Sequence, residues 1–227
     1  NDLIVATQGR SLYILDDLTV VQQAKADILN KQLHVFDVNP AYRMAGGGGR
    51  RNRQQGGAVA NAGMNPPNGA VFNYYLKTVT DSSRLSVSIM GHDRKVIKTY
   101  STTSKDNKLD INQGMNQFAW DMNYPEAERV EGLILWNGFV RGPKAAPGEY
   151  VARFSNGTDS TEVPFTILGD PNYTTSTADY EEQVSFLLTI RDKFSELMKA
   201  LKNIKDVRQQ LSDFSSRNGK AVPAEIK

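Results

Sequence analysis

The sequence predicts a mainly β protein: a sandwich of short strands over residues 70–169, with a β-hairpin before it and a long amphipathic C-terminal helix after it. Three observations carry that reading. Apolar and polar residues alternate in Leu85-Ser86-Val87-Ser88-Ile89, and Phe118 and Trp120 share one face while Ala119 and Asp121 share the other, the period-2 pattern of half-buried strands. Turn chemistry at Gly91-His92-Asp93 and Pro147-Gly148 leads from one such run to the next. From Leu187 to Leu211 the apolar residues step instead by threes and fours, the period of a helix.

In chain order, Leu3 to Thr7 and Ser11 to Leu15, joined by Gln8-Gly9-Arg10, read as a hairpin occupying residues 1–18. Both runs are apolar on both faces. A lone hairpin is marginal in water, so it needs a cover, and no matching strand precedes residue 70. Leu18 to Leu33 carries Val21, Ala24 and Ile28 at helical spacing behind Asp17 or Thr19, which predicts a short connecting helix, and His34 to Phe36 offers a further strand. Gly46-Gly47-Gly48-Gly49-Arg50-Arg51-Asn52-Arg53 and Pro66-Pro67 make the rest of residues 19–69 a linker.

The sandwich opens at Ala70 to Leu76 and continues through Leu85 to Ile89, Lys95 to Tyr100 and Gly114 to Asp121. After the Pro147-Gly148 turn, Tyr150, Ala152 and Phe154 alternate with Val151 and Arg153. Val163, Phe165 and Ile167 mark the last strand, where Pro164 argues for an edge because it cannot donate to a ladder. The expected core is Phe118, Trp120, Tyr150 and Phe154. Between Trp120 and Tyr150 lies an insertion, Met122 to Ala145, holding Leu133, Ile134, Leu135, Trp136 and Phe139. Six or so short strands in about a hundred residues is the density of an Ig-like sandwich.

Asp170-Pro171 closes that region, and Ser176 with Asp179 forms a capping signature for the helix of residues 170–227. Leu187, Ile190, Phe194, Leu197, Leu201, Ile204 and Leu211 form its partner face, interrupted by Arg208, with Val184, Leu188, Met198 and Val207 widening the stripe. Such a face needs a cover. The candidates are a second helix beginning near Pro223, the same helix of another copy, or the sandwich itself.

Gly114-x-Asn116-x-Phe118-x-Trp120-Asp121, followed by Pro147-Gly148-x-Tyr150, resembles the Ig-like domain of the flagellar hook-capping protein type, an add-on in many exported bacterial proteins. Asp2 to Leu18 resembles the end of the last blade of a large sortilin-like, sialidase-repeat β-propeller, a family often labelled glycosyl hydrolases. The likeness runs on through Asn39-Pro40-Ala41-Tyr42-Arg43 and Asn65-Pro66-Pro67-Asn68-Gly69-Ala70 to the C-terminal helix, so it covers most of the chain. It implies a propeller-type hairpin at residues 1–18, an upstream propeller in the same polypeptide and a helical hairpin after the Ig-like domain. The opening at Asn1, without Met and in mid-strand, likewise reads as an excerpt whose export signal lies upstream, giving an extracytoplasmic location.

Composition narrows the chemistry. The chain of 227 residues is 39% hydrophobic, enough for a real core, and its net charge of +2 is too mild to make nucleic acid or an acidic membrane the obligatory partner. Without cysteine there are no disulfides, thiolate nucleophiles or zinc-thiolate sites. His34 and His92, the only histidines, leave little for a Ser-His-Asp triad or a His-rich metal site, so no catalytic residue, metal or cofactor is expected. Asp121, Glu126, Glu128 and Glu131 contain enough carboxylates for a glycosidase pair, but a solvated insertion explains them more simply. The Gly-Arg stretch lacks the G-K-[S/T] ending of a phosphate loop and the aromatic interleaving of an RNA-binding segment.

Tyr124, Trp136 and Phe139 are the candidate binding residues, for a domain contact first and for a sugar ring second. The expected function is therefore a non-catalytic accessory and interaction region of an exported propeller protein. The alternatives are part of a glycoside hydrolase whose active residues lie in the propeller, or a carbohydrate-binding module.

Overall fold

A computed structural model describes residues 2–9, 11–15, 17–44, 67–80, 84–133, 140–157 and 159–218. The chain is mostly β, with three sheets and one long C-terminal helix. It divides into two compact units: one of the described residues up to Asn123 with Lys144–Glu181, the other of Tyr124–Pro143 with Glu182 onward.

In the first unit, β1 (Leu3–Thr7) and β2 (Ser11–Leu15) form a two-stranded antiparallel sheet. The chain then turns through Asp17, whose carboxylate accepts from the Thr19 amide at 2.9 Å. The continuous connecting helix expected over Leu18 to Leu33 is not formed. Instead a five-residue α1 (Thr19–Gln23) and a 3-10 turn (Ala26–Asn30) are separated by extended backbone at Ala24 and Lys25. No side chain caps α1, and β-branched Val20 and Val21 give it little intrinsic stability. The strand offered at His34 to Phe36 forms as β3 (Leu33–Val35), and β4 (Ala41–Arg43), which the sequence did not signal, follows it. The Gly-Arg linker lies outside the described residues.

β5 (Ala70–Leu76) pairs with β8 (Gly114–Trp120) along its whole length, Phe72 opposite Phe118 and Ala70 opposite Trp120, and β3 adds to its far side. The other sheet holds β6 (Ser86–Met90), β7 (Val96–Ser101), β9 (Gly148–Ser155) and β10 (Ser160–Gly169) in the order β4-β10-β9-β6-β7. All its pairings are antiparallel except β4, which runs parallel to Ile167–Gly169. Because β4 reaches only those last residues, β10 has no second neighbour at Pro164 among the described residues, and the missing N–H costs nothing.

The two larger sheets meet through aromatic rings. Phe72 stands edge-on to Phe165 at 5.1 Å, Tyr74 lies 5.4 Å from Phe154, and Trp120 lies 5.9 Å from Tyr150. Phe118, Trp120, Tyr150 and Phe154 are all buried. The two polar tips among them find backbone partners: Trp120 Nε1 donates to the Asn123 carbonyl at 3.2 Å, and the Tyr150 hydroxyl donates to the Ala146 carbonyl at 2.7 Å. Entry into β5 demands glycine at position 69, where φ is +120° and a Cβ would stand 1.9 Å from the Trp120 carbonyl oxygen.

Helix α2 (Thr177–Asn218) starts at a capping box, with the Ser176 hydroxyl donating to Asp179 Oδ2 at 2.6 Å and accepting from the Asp179 amide at 3.2 Å. Hydrogen bonding to Ser176 holds the Asp179 carboxyl below its ordinary range. In the second unit, Tyr124–Pro143 doubles back on itself, the Tyr124 amide donating to the Pro143 carbonyl at 2.9 Å and the Ala127 amide to the Val140 carbonyl at 2.8 Å. Gly142 permits the close approach, since a Cβ there would lie 2.2 Å from the Tyr124 carbonyl oxygen.

Trp120→Ala removes the largest fully buried side chain and should cost on the order of 3–5 kcal/mol in urea melts, whereas a loss under about 1 kcal/mol would contradict the packing described. Tyr74 carries the opposite liability, because its buried hydroxyl has no hydrogen-bond partner among the described residues and burial pushes its pKa up to about 12. Tyr74→Phe should therefore be neutral or stabilising by about 1 kcal/mol at neutral pH. A folded pKa raised above the unfolded value near 10 contributes stability that is complete below pH 10 and lost as pH rises toward 12. The variant should accordingly lose less stability than the parent between those pH values in the same melts.

Candidate functional site

The residues that offered catalytic chemistry each have their own local setting. His34, on β3, is half-buried with its ring edge-on to Phe36 at 4.8 Å, and burial, aided by Lys31, lowers its pKa. His92 is exposed in the turn between β6 and β7. Asp121 is engaged by Asn123, accepting from its amide at 3.1 Å and its side-chain Nδ2 at 2.6 Å. Of the glutamates in the second unit, Glu126 pairs with Arg129 at 2.6 Å and Glu128 lies 4.0 Å from Lys199. Among the described residues no group of three or more His, Asp or Glu could hold a metal ion.

Other charged groups serve the sheets. Glu162 on β10 accepts from Arg153 on β9 at 2.6 Å and pairs with Arg94, and these bonds hold its exposed carboxyl below the usual range. Arg43 lies 4.4 Å over the Tyr180 ring and donates to the Ala145 carbonyl at 3.0 Å, fastening the end of β4 to the start of α2 within the first unit.

Tyr124, the first of the candidate binding aromatics, is half-buried. Trp136 and Phe139 lie outside the described residues. In the second unit a groove of about 280 Å³ runs between Ala127, Val140 and Pro143 on one side and Leu187, Ile190 and Phe194 on the other, with Arg141 and Arg191 also lining it. Arg191 is already engaged by Asp192 at 2.6 Å and by the Pro125 carbonyl at 3.4 Å.

Two exposed apolar surfaces remain. The first is the hairpin: Leu3 opposite Leu15 and Val5 opposite Tyr13 line one face, Ile4 opposite Ile14 and Ala6 opposite Leu12 the other. Every residue of both strands is exposed, and neither strand has a second neighbour among the described residues. Contiguous exposed apolar surface of this kind marks a contact surface. Its amino-acid signal was legible, since strands apolar on both faces are those covered on both faces.

The second surface is on α2. Of the expected partner face, Ile190, Leu197, Ile204 and Leu211 are well exposed, Leu187 and Leu201 less so, and Phe194 is half-buried. Sequence periodicity did not single out Phe186, which is 65% exposed. Which stripe is occupied depends on the covering segment Tyr124–Pro143, and no local pattern encodes that. No helix among the described residues is long and apolar enough to cross a membrane. Compared with known protein families, curated proteins and solved structures, the chain finds no match.

Proposed function

We propose that this chain is the non-catalytic accessory region of a larger, exported β-propeller protein, in which the N-terminal hairpin completes a blade. The observation that carries the reading is the hairpin itself, apolar and exposed on both faces, with no strand beside either edge among the described residues. An isolated two-stranded sheet is at best marginally stable. A hairpin built to lie on the surface of another domain would keep one polar face. One built with two apolar faces belongs in the middle of stacked sheets, and propeller blades, whose faces pack on their neighbours around a channel, provide that setting.

The strand order supports an Ig-like identity for the following domain. Taking β3, β5 and β8 as A, B and E, and β4, β10, β9, β6 and β7 as A′, G, F, C and C′, the strand order is consistent with the immunoglobulin plan, with no D strand among the described residues. Tyr150, near the start of β9 and bonded to a backbone carbonyl upstream, resembles the tyrosine corner of such domains. The buried Trp120 departs from the plan, standing on the E position rather than on C. In this reading any glycoside hydrolysis belongs to the propeller, and the whole protein acts outside the cytoplasm.

Hydrogen exchange of the 227-residue chain should show fast amides at Leu3–Thr7 and Ser11–Leu15, becoming strongly protected in the longer polypeptide. Equal, fast exchange in both would refute the role of the hairpin. Ile14→Asp should change the stability of the 227-residue chain by less than about 0.5 kcal/mol, because the side chain it replaces is exposed. Turnover of a glycoside by the 227-residue chain would refute the non-catalytic assignment.

A further inference from the structure

Asparagine precedes glycine at four places in the chain: 68–69, 137–138, 156–157 and 218–219. In such a pair the asparagine side chain and the next backbone nitrogen can react with each other, because glycine has no Cβ to shield that nitrogen or to restrict its rotation. Gly138 and Gly219 lie outside the described residues, and the structure separates the other two pairs.

Asn156 and Gly157 lie in the turn that joins β9 to β10, beyond the last ladder pair, Ser155 with Ser160. The Asn156 amide donates to the Asp159 carbonyl at 3.1 Å, and the Asp159 amide donates back to Asn156 Oδ1 at 2.8 Å. The side chain is thereby folded over the turn that it opens, and the N–H on Oδ1 draws electrons away from Cγ. Gly157 is exposed at a φ of +98°, and a Cβ placed on it would meet open space among the described residues. Its amide makes only a long contact, 3.5 Å to the Ser155 hydroxyl. A polarised side-chain carbonyl thus stands one residue before a loosely held backbone nitrogen.

At the other pair the glycine is fixed. Asn68 is exposed, but a Cβ on Gly69 would stand 1.9 Å from the Trp120 carbonyl oxygen, and Ala70 beside it is fully buried opposite Trp120. Turning that backbone to bring its nitrogen onto the Asn68 side chain would unseat the entry to β5.

We infer that Asn156 is a site of spontaneous modification, where the folded turn closes the side chain into a cyclic imide that water opens to isoaspartate and aspartate. The Gly157 nitrogen attacks Asn156 Cγ. The new N–C bond replaces the Cγ–Nδ2 bond, and Nδ2 leaves as ammonia with the proton that the Gly157 nitrogen gives up. Ring closure within one chain carries no cost of bringing two molecules together, and the Asp159 amide is placed to stabilise the charge that develops on Oδ1. Water adding at the main-chain carbonyl of residue 156 gives isoaspartate, and at Cγ gives aspartate. Either product sets a carboxylate near Asp159. Isoaspartate also routes the backbone through an extra methylene, which the pairing of residues 156 and 159 cannot span unchanged.

The test needs no substitution. The 227-residue chain is held folded in mildly alkaline buffer, sampled over weeks, digested and read by tandem mass spectrometry. Asn156 should convert at least tenfold faster than Asn68. In urea, where both pairs are equally free, the two rates should become alike. Isoaspartate at position 156, read by methyl transfer from an isoaspartyl methyltransferase, should exceed aspartate. An Asn156 that stays intact, equal conversion of the two residues in the folded chain, or a preference for Asn156 that persists unchanged in urea overturns the proposal. Aspartate without isoaspartate overturns it as well, since direct hydrolysis of the side-chain amide yields that product alone.

Discussion

The ring contacts between the two larger sheets are the interaction on which the first unit depends. Phe72, Tyr74 and Trp120 from one sheet meet Tyr150, Phe154 and Phe165 from the other, and a strand presents these rings inward only in one register. Slipping β5 against β8 by one residue would turn Phe72 to solvent and break its place opposite Phe118. The local devices around the core serve that register: Gly69 admits the Trp120 carbonyl, and the Asn123 and Ala146 carbonyls satisfy the indole N–H and the Tyr150 hydroxyl. Among the described residues, the Tyr74 hydroxyl is the buried side-chain polar atom that gives up a hydrogen-bond partner for packing.

Outside that core the chain leaves apolar surface uncovered in two places with different geometry. Among the described residues the hairpin is open on two faces and two edges, which calls for neighbouring strands and stacked sheets. The helix is open along a single stripe, which calls for one more helix. Burial is worth roughly 25 cal/mol for each Å² of apolar area removed from water, so both surfaces hold unused association energy. The hairpin, lacking any polar face, is suited to insertion in a larger β assembly.

The strands that alternate cleanly were legible in the sequence, as were the turn at His92, the capping box at Ser176 and the four core residues. Three-residue strands such as β3 and β4 were legible only in part, because so short a run carries almost no periodicity and β4 is defined by a long-range pairing to Ile167. The connecting helix was misread because Val21, Ala24 and Ile28 sit at helical spacing without a cap or the propensity to sustain a helix. On α2 the helical period was legible, but not the contacts that Arg191, Ser195 and Lys205 make with Pro125, Glu128 and Glu131, which no local pattern encodes. Of the acidic residues weighed in the sequence, Asp121 is engaged by Asn123, Glu126 by Arg129 and Glu128 lies near Lys199.

The intact mass and N-terminal peptide map of the native polypeptide that contains Asn1 to Lys227 test the central claim most directly. The account predicts a much larger chain with repeated blade-like segments upstream of Leu3. A native chain that begins at or near Asn1 would contradict it, because the exposed hairpin would then have no blade to complete.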